Sequence, residues 1–313
     1  MSAPAPPSDL ARALVRGAVH VHAGPDLVPR QADAMELAAR FAQHGLAGFV
    51  DKAHFGGTFL KEPGLAQPYG TARHFTSVVL NGFVGGLNPL AVEAAARGGA
   101  RFVWLPTVDV EVDQVLRHGA PEKSRGTPST WSAIRDELVA SGRARPTRPV
   151  TVAGEPSGDL LSVLEVVRDH GLTLATGHLR WTDTLAAVMA ARDLGIEHVV
   201  VTHPAFPGQE FDFAQQTRLA EHGAVLEYCF TNALTGKVDR TDWVHAIRSL
   251  PADQVVVSSD AGQVFNPPVE DCLALAADLL LGAGVDEDRV RTVTTHVSRR
   301  VVGLERLAEE GNS

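Results

Sequence analysis

Five residues able to ligate a metal stand at or beside the ends of apolar runs in this chain. In Gly17-Ala18-Val19-His20-Val21-His22-Ala23-Gly24-Pro25-Asp26 two histidines lie two apart. On a pleated strand that spacing sends both imidazoles to one face. Taken alone, such a pair reads as two ordinary histidines on an edge strand. Three further apolar runs end in His178, His203 and Asp260, and they change that reading. Together the five supply four imidazoles and one carboxylate, a set suited to Zn²⁺ or a similar borderline divalent ion. A catalytic ion needs an open position for water, whose acidity it raises, and a neighbouring base to move the proton.

The elements that must position these residues follow from the alternation of the chain. Short β-rich apolar runs are each followed by a polar or Gly-rich turn and an Ala/Leu-rich amphipathic stretch, the pattern of parallel βα units. The strands are read at 18–21, 46–50, 77–83, 101–105, 172–176, 198–202, 224–228 and 254–258. The count is that of a closed α/β barrel, the (β/α)8 TIM barrel, in which every strand delivers its C-terminal end to one face. No Gly-rich nucleotide fingerprint follows any strand, which argues against an open doubly wound sheet. A helix is expected at 242–249 with Thr241 as its cap, and one closing helix at 286–302.

The domain reading is a leader and short helix over 1–16, a single catalytic barrel over 17–304 and a tail over 305–313. The barrel carries a long insertion after strand four, at about 110–156. It is polar, with Pro121, Pro128, Pro146 and Pro149, one helix at 130–140 and a small hairpin near Thr151. Such an excursion serves as a lid over the site or as an oligomer contact.

Composition bounds the function. The 313 residues are 44% hydrophobic and 21% charged with net charge −9, and no basic stripe is present, so a nucleic-acid partner is not expected. No stretch approaches the roughly 18 uninterrupted apolar residues of a membrane span. Cys229 and Cys272 form no disulfide framework and read as buried small hydrophobes. The Pro-rich start lacks the features of a signal peptide, so the expected location is cytoplasmic.

The ordered set of HxH after strand one, His after strands five and six and Asp after strand eight resembles the amidohydrolase superfamily of metal-dependent barrels. The resemblance runs from Gly17 to Leu304. The ending His296-Val297-Ser298-Arg299-Arg300-Val301-Val302-Gly303-Leu304 resembles a weakened form of that family's Asn-Pro-Ala-x-x-Leu-Gly-Leu close. It implies that His20, His22 and Asp260 hold a first metal, with Asp260 also moving protons. It further implies that His178 serves the same or a second ion, and that His203 binds a second ion or orients the water. The branch it most resembles is one of poorly characterised, predicted amidohydrolases, so chemistry is implied more firmly than substrate.

One departure concerns the second ion. Binuclear members bridge their metals with a carboxylated Lys or a Glu at the end of strand four, where this chain has Leu105-Pro106-Thr107-Val108-Asp109. Asp109 is one candidate for the bridge, and Lys52, at the end of strand two, is another. Lys52, His54 and Arg180 are also candidates for binding substrate. Asn81, Asn88, Trp181 and Glu227 lie near strand ends as weaker candidates.

The expected activity is hydrolysis of an amide, cyclic amide or ester-like bond of a small molecule by metal-activated water, with one or two ions. The alternative is a metal-dependent non-oxidative decarboxylase on the same barrel. A non-catalytic metal-binding barrel comes third. Homo-oligomeric assembly is left open.

Overall fold

The computed structural model describes residues 5–59, 72–109, 130–142 and 148–304. Its wall strands are β1 (Ala18–Val21), β2 (Gly48–Asp51), β3 (Arg73–Phe75), β4 (Ser77–Val79), β5 (Phe102–Trp104), β8 (Thr173–Ala175), β9 (Val199–Val201), β10 (Val225–Cys229) and β11 (Val255–Ser258). All wall pairs are parallel. β3 and β4 are one wall strand interrupted at Thr76: β3 pairs with β2, and β4 with β5. Last meets first through Asp260 N–H donating to the His20 carbonyl (2.9 Å) and His22 N–H to the Ala261 carbonyl (2.8 Å). The result is the expected closed (β/α)8 barrel.

Apolar residues on both faces of these strands explain why they read as unbroken hydrophobic runs. Val50, Phe75, Val79, Phe102, Trp104, Ala175, Val200, Val225 and Val256 fill the interior, joined from below by Val297, Val301 and Val302. The latter sit at the end of the chain, in or beside α12 (Val297–Val301), which plugs the N-terminal mouth. Thr173, first residue of β8, fixes the plug by donating to the Val301 carbonyl at 2.6 Å. With that mouth sealed, the C-terminal mouth is left for chemistry.

The surrounding helices are α1 (Asp9–Leu14), α2 (Ala34–Gln43), α3 (Pro89–Arg97), α4 (Thr130–Ala140), α5 (Gly158–Asp169), α6 (Trp181–Asp193), α7 (Phe213–Glu221), α8 (Phe230–Leu234), α9 (Arg240–Ser249), α10 (Val269–Gly282) and α11 (Glu287–Arg291). Side-chain oxygens of Ser8, Asp33, Ser157, Asp212 and Asp286 cap their helices by accepting first-turn N–H groups. Of the excursion after β5, α4 and the antiparallel hairpin β6 (Thr151–Val152) and β7 (Glu155–Pro156) are seen as expected. Residues 110–129 and 143–147 of it, like the tail 305–313, lie outside the described residues.

Three local expectations are corrected. The third run stops at Val79, and Gly82–Val84 form a 3₁₀ turn. The apolar sequence continues, but Asn81 turns its amide onto the His54 carbonyl (2.8 Å) and Thr107 Oγ1 (2.9 Å), which diverts the chain. The cap of α9 is Asp239, which accepts from Thr241 and Asp242 N–H. The closing helix is broken by a π-helical turn at Thr292–His296. There Thr295 Oγ1 donates to the Leu14 carbonyl (3.0 Å) and accepts from Arg16 N–H (2.8 Å), serving the backbone that enters β1.

Gly262 lies just past the closing seam at φ +138°, and a Cβ there would sit 2.0 Å from the His22 carbonyl oxygen. Gly262→Ala is therefore expected to destabilise the fold by roughly 1–3 kcal/mol from backbone strain alone, with the clash added. An unchanged urea midpoint would contradict this.

Candidate active site

The C-terminal mouth gathers an arc of five buried imidazoles. Ring centroids are separated by 5.5 Å for His20–His22, 5.1 Å for His22–His54, 6.1 Å for His54–His178 and 4.8 Å for His178–His203. Asp260 faces the first pair, its Oδ1 2.9 Å from His22 Nε2 and 3.8 Å from His20 Nε2. One ligand atom from each of His20, His22 and Asp260 lies within 4.8 Å of the others.

The back of each ring explains which nitrogen points forward. His20 Nδ1 donates to Glu227 Oε1 at 3.0 Å, and His22 Nδ1 to the Lys52 carbonyl at 2.6 Å. His203 Nδ1 donates to Gln209 Oε1 at 2.9 Å. The Gln209 amide nitrogen faces the carbonyls of Gly177, Leu179 and Thr202, which orients its oxygen toward His203. A ring tied back through Nδ1–H presents the lone pair of Nε2, the arrangement of metal-binding histidines.

The His22–Asp260 contact tests whether a cation fits. A neutral His22 with its proton on Nδ1 sets the Nε2 lone pair against a carboxylate oxygen, two acceptors in contact. Burial and the Arg30 charge lower the His22 pKa to about 4, outweighing Asp260, so near pH 7 no proton relieves that contact. A divalent ion would, and the donor set suits one.

Two of these residues are held in left-handed backbone, His203 at φ +28° and Asp260 at φ +52°. Non-glycine residues seldom adopt it. Each follows its strand by two positions, and the turn aims the side chain into the mouth. Burial would raise the Asp260 carboxyl, but its close neighbours His22, His20 and Lys52 hold it well below the usual range. Burial, aided by His178, pushes His203 well down, and burial with Lys52 does the same to His54.

The remaining sequence candidates are placed as follows. Lys52 is 1% exposed, with Nζ 5.4 Å from the Trp104 ring centroid. His54 Nδ1 meets Thr107 Oγ1 at 3.0 Å. Asp109 accepts from Gly82 N–H in the neighbouring turn. Arg180 is exposed at the start of α6, its Nε 3.1 Å from Asp183. The sequence reading missed Gln209, Thr107 and Trp104, and placed Glu227 near a strand end without its role behind His20. Glu227 had a signal, a carboxylate inside the run Val225-Leu226-Glu227-Tyr228-Cys229. Cys229 is not in wholly apolar surroundings either, since its Sγ lies 3.3 Å from Ser258 Oγ. With His20 and Glu227 it forms a second group of three ligand atoms within 4.8 Å.

The depressed histidines give a pH dependence for metal-free protein. A buried imidazole that stays neutral while its unfolded counterpart takes a proton contributes stability present above the unfolded value of 6.5. That stability is lost as pH falls from there toward the folded value of about 4. For His22 alone the loss is on the order of 3 kcal/mol. Urea midpoints in chelator should fall between pH 7 and pH 4.5; a flat profile would contradict the assignment.

In architecture the chain has the fold of the amidohydrolase superfamily. It is similar over 95% of its length to 98% of an amidohydrolase from Pseudomonas aeruginosa, at TM-score 0.60 and 13% identity. The dipeptidase PvdM of the same organism, described as probable, matches over 94% of this chain and 96% of its own, at TM-score 0.60 and 11% identity. Enamidase, described as a member of the amidohydrolase superfamily, matches over 92% and 68%, at TM-score 0.55 and 13% identity. The chain belongs to the family of unknown function DUF6282, whose profile matches residues 18–227. No curated protein sequence matches it. Among the described residues no helix is long and apolar enough to cross a membrane.

Proposed function

We propose that this protein is a metal-dependent hydrolase that cleaves an amide, cyclic amide or ester-like bond of a small molecule. The observation that carries the reading is the meeting of His20 Nε2, His22 Nε2 and Asp260 Oδ1. His20, His22 and Asp260 would hold the first ion, Zn²⁺ by the softness of the set, with His178 joining it or a second ion shared with His203. A bound ion would supply water acidity near neutral pH and polarisation of the scissile carbonyl. Asp260 takes the proton from the attacking water and returns it to the leaving group. His203, fixed by Gln209, orients that water when it does not bind an ion. In this scheme His54, within the arc, and Lys52, buried beside Trp104, are the side chains that contact the substrate. Asp109 and Arg180 have no part in this scheme.

One observation favours a second reading. The buried cation of Lys52 beside the centre suits a substrate carboxylate, as a decarboxylase on the same barrel would need. Either reading takes a small-molecule partner in a cytoplasmic setting, with both cysteines free.

The test is metal content per chain on protein purified without added metal, followed by screening of amides, lactams, esters and carboxylic acids. Zero ions together with no uptake of Zn²⁺ would overturn both readings. Release of carbon dioxide without hydrolysis would select the second.

A further inference from the structure

Beneath the metal-ligand arc, inside the barrel, lies a cavity of about 20 Å³. Its polar lining comes from His20, Trp104, Glu227, Ser258 and Ser298, while Val301 and Val302 of the plug form part of its floor. Apart from His20 Nε2, which faces Asp260, two lining groups bear buried atoms with no hydrogen-bond partner, the indole Nε1–H of Trp104 and Oε2 of Glu227. One is a donor and the other an acceptor. They do not pair with each other, since neither atom has a hydrogen-bond partner. Leaving a buried donor and a buried acceptor both unpaired is costly, so the cavity between them calls for an occupant.

We propose that this cavity is a binding site for one ordered water molecule, and that Trp104 acts through that water as a positioning residue for Glu227 and His20. The volume suits a single water, which needs roughly 10–15 Å³ in this measure and two to four polar partners. The water accepts from Trp104 Nε1–H and donates one O–H to Glu227 Oε2. Its second O–H is directed to Ser258 Oγ. Glu227 is then held at Oε1 by His20 Nδ1–H and at Oε2 by the water, with the Ser258 hydroxyl beside the carboxylate. A carboxylate bound at one oxygen only can rotate about its last bond; bound at both, it keeps His20 in the tautomer that presents Nε2 forward. Trp104 is placed for this role by its packing, 1% exposed with its ring 5.2 Å from that of His20.

Two measurements test the proposal. A high-resolution crystal structure of the full chain should contain density for one water between Trp104, Glu227 and Ser258. A dry cavity overturns the site, whether or not the protein binds metal. The second measurement rests on the metal reading above and uses Zn²⁺ affinity by chelator competition. Glu227→Gln should weaken binding by about 10–100-fold and Trp104→Phe by about tenfold. The double variant should be no weaker than Glu227→Gln alone, because both changes break one link. Fully additive losses would make Trp104 a packing residue only, as would wild-type affinity in Trp104→Phe. If wild-type protein binds no Zn²⁺, the metal reading fails, and the crystallographic result decides the water site by itself.

Discussion

Asp260→Asn folds like the parent protein and loses turnover by roughly two to four powers of ten, the span of a lost general acid/base. The substitution keeps the size of the side chain and its place in the turn after β11. It removes the negative charge facing His22 Nε2 and the basicity needed to take a proton from water. Because the parent carboxyl is held well below its usual range, it is ionised throughout the working pH range. The loss should therefore show no recovery at higher pH. Metal content should fall less than turnover, since the imidazoles remain. The measurement is turnover on whatever substrate the screen finds, with metal determined on the same preparation. Near-normal turnover with metal bound would remove Asp260 from the mechanism.

His22→Ala abolishes metal retention, a loss well beyond the 10–100-fold of a supporting group, and takes activity with it. The packing cost is not negligible, because the ring is 2% exposed, stacks on His54 and donates to the Lys52 carbonyl. Losing that hydrogen bond costs about 0.5–1.5 kcal/mol, so a lower melting temperature accompanies a folded spectrum. His178→Ala is the useful companion. If His178 belongs to a second ion, that variant keeps one ion per chain while His22→Ala keeps none. Full metal occupancy in His22→Ala would mean that the site lies elsewhere.

Much of the fold was legible because the barrel wall is buried on both faces, so its strands announce themselves as runs such as Val199-Val200-Val201. The five candidate ligands were legible for a related reason: polar residues directly after such runs must lie at one mouth. Their supporting contacts were not. Glu227 meets His20 across 207 positions of sequence, and only closure of the ring makes them neighbours. Nothing in the sequence marks Gln209, whose role depends on the three carbonyls that orient its amide. The third strand was overrun because hydropathy continues through Phe83 and Val84, whereas the turn is made by the side chain of Asn81. Arg180 drew attention by adjacency to His178. Helix α6 starts at the next residue and carries Arg180 outward to Asp183.

The seam between β11 and β1 joins the two wall strands most distant in sequence. The chain entropy given up to bring them together is larger than for any neighbouring pair, so this is where the ring should open first in thermal fluctuations. Both sides of the seam carry proposed ligands, Asp260 on one edge, His20 and His22 on the other. An ion shared between those edges acts as a clasp, and loading it should slow amide exchange at His22 and Asp260 well before it changes the exchange of β8 or β9. Occupancy would then be read out as the lifetime of a closed ring, so a cell short of the metal would hold a population of this protein gaping along one line rather than uniformly loosened.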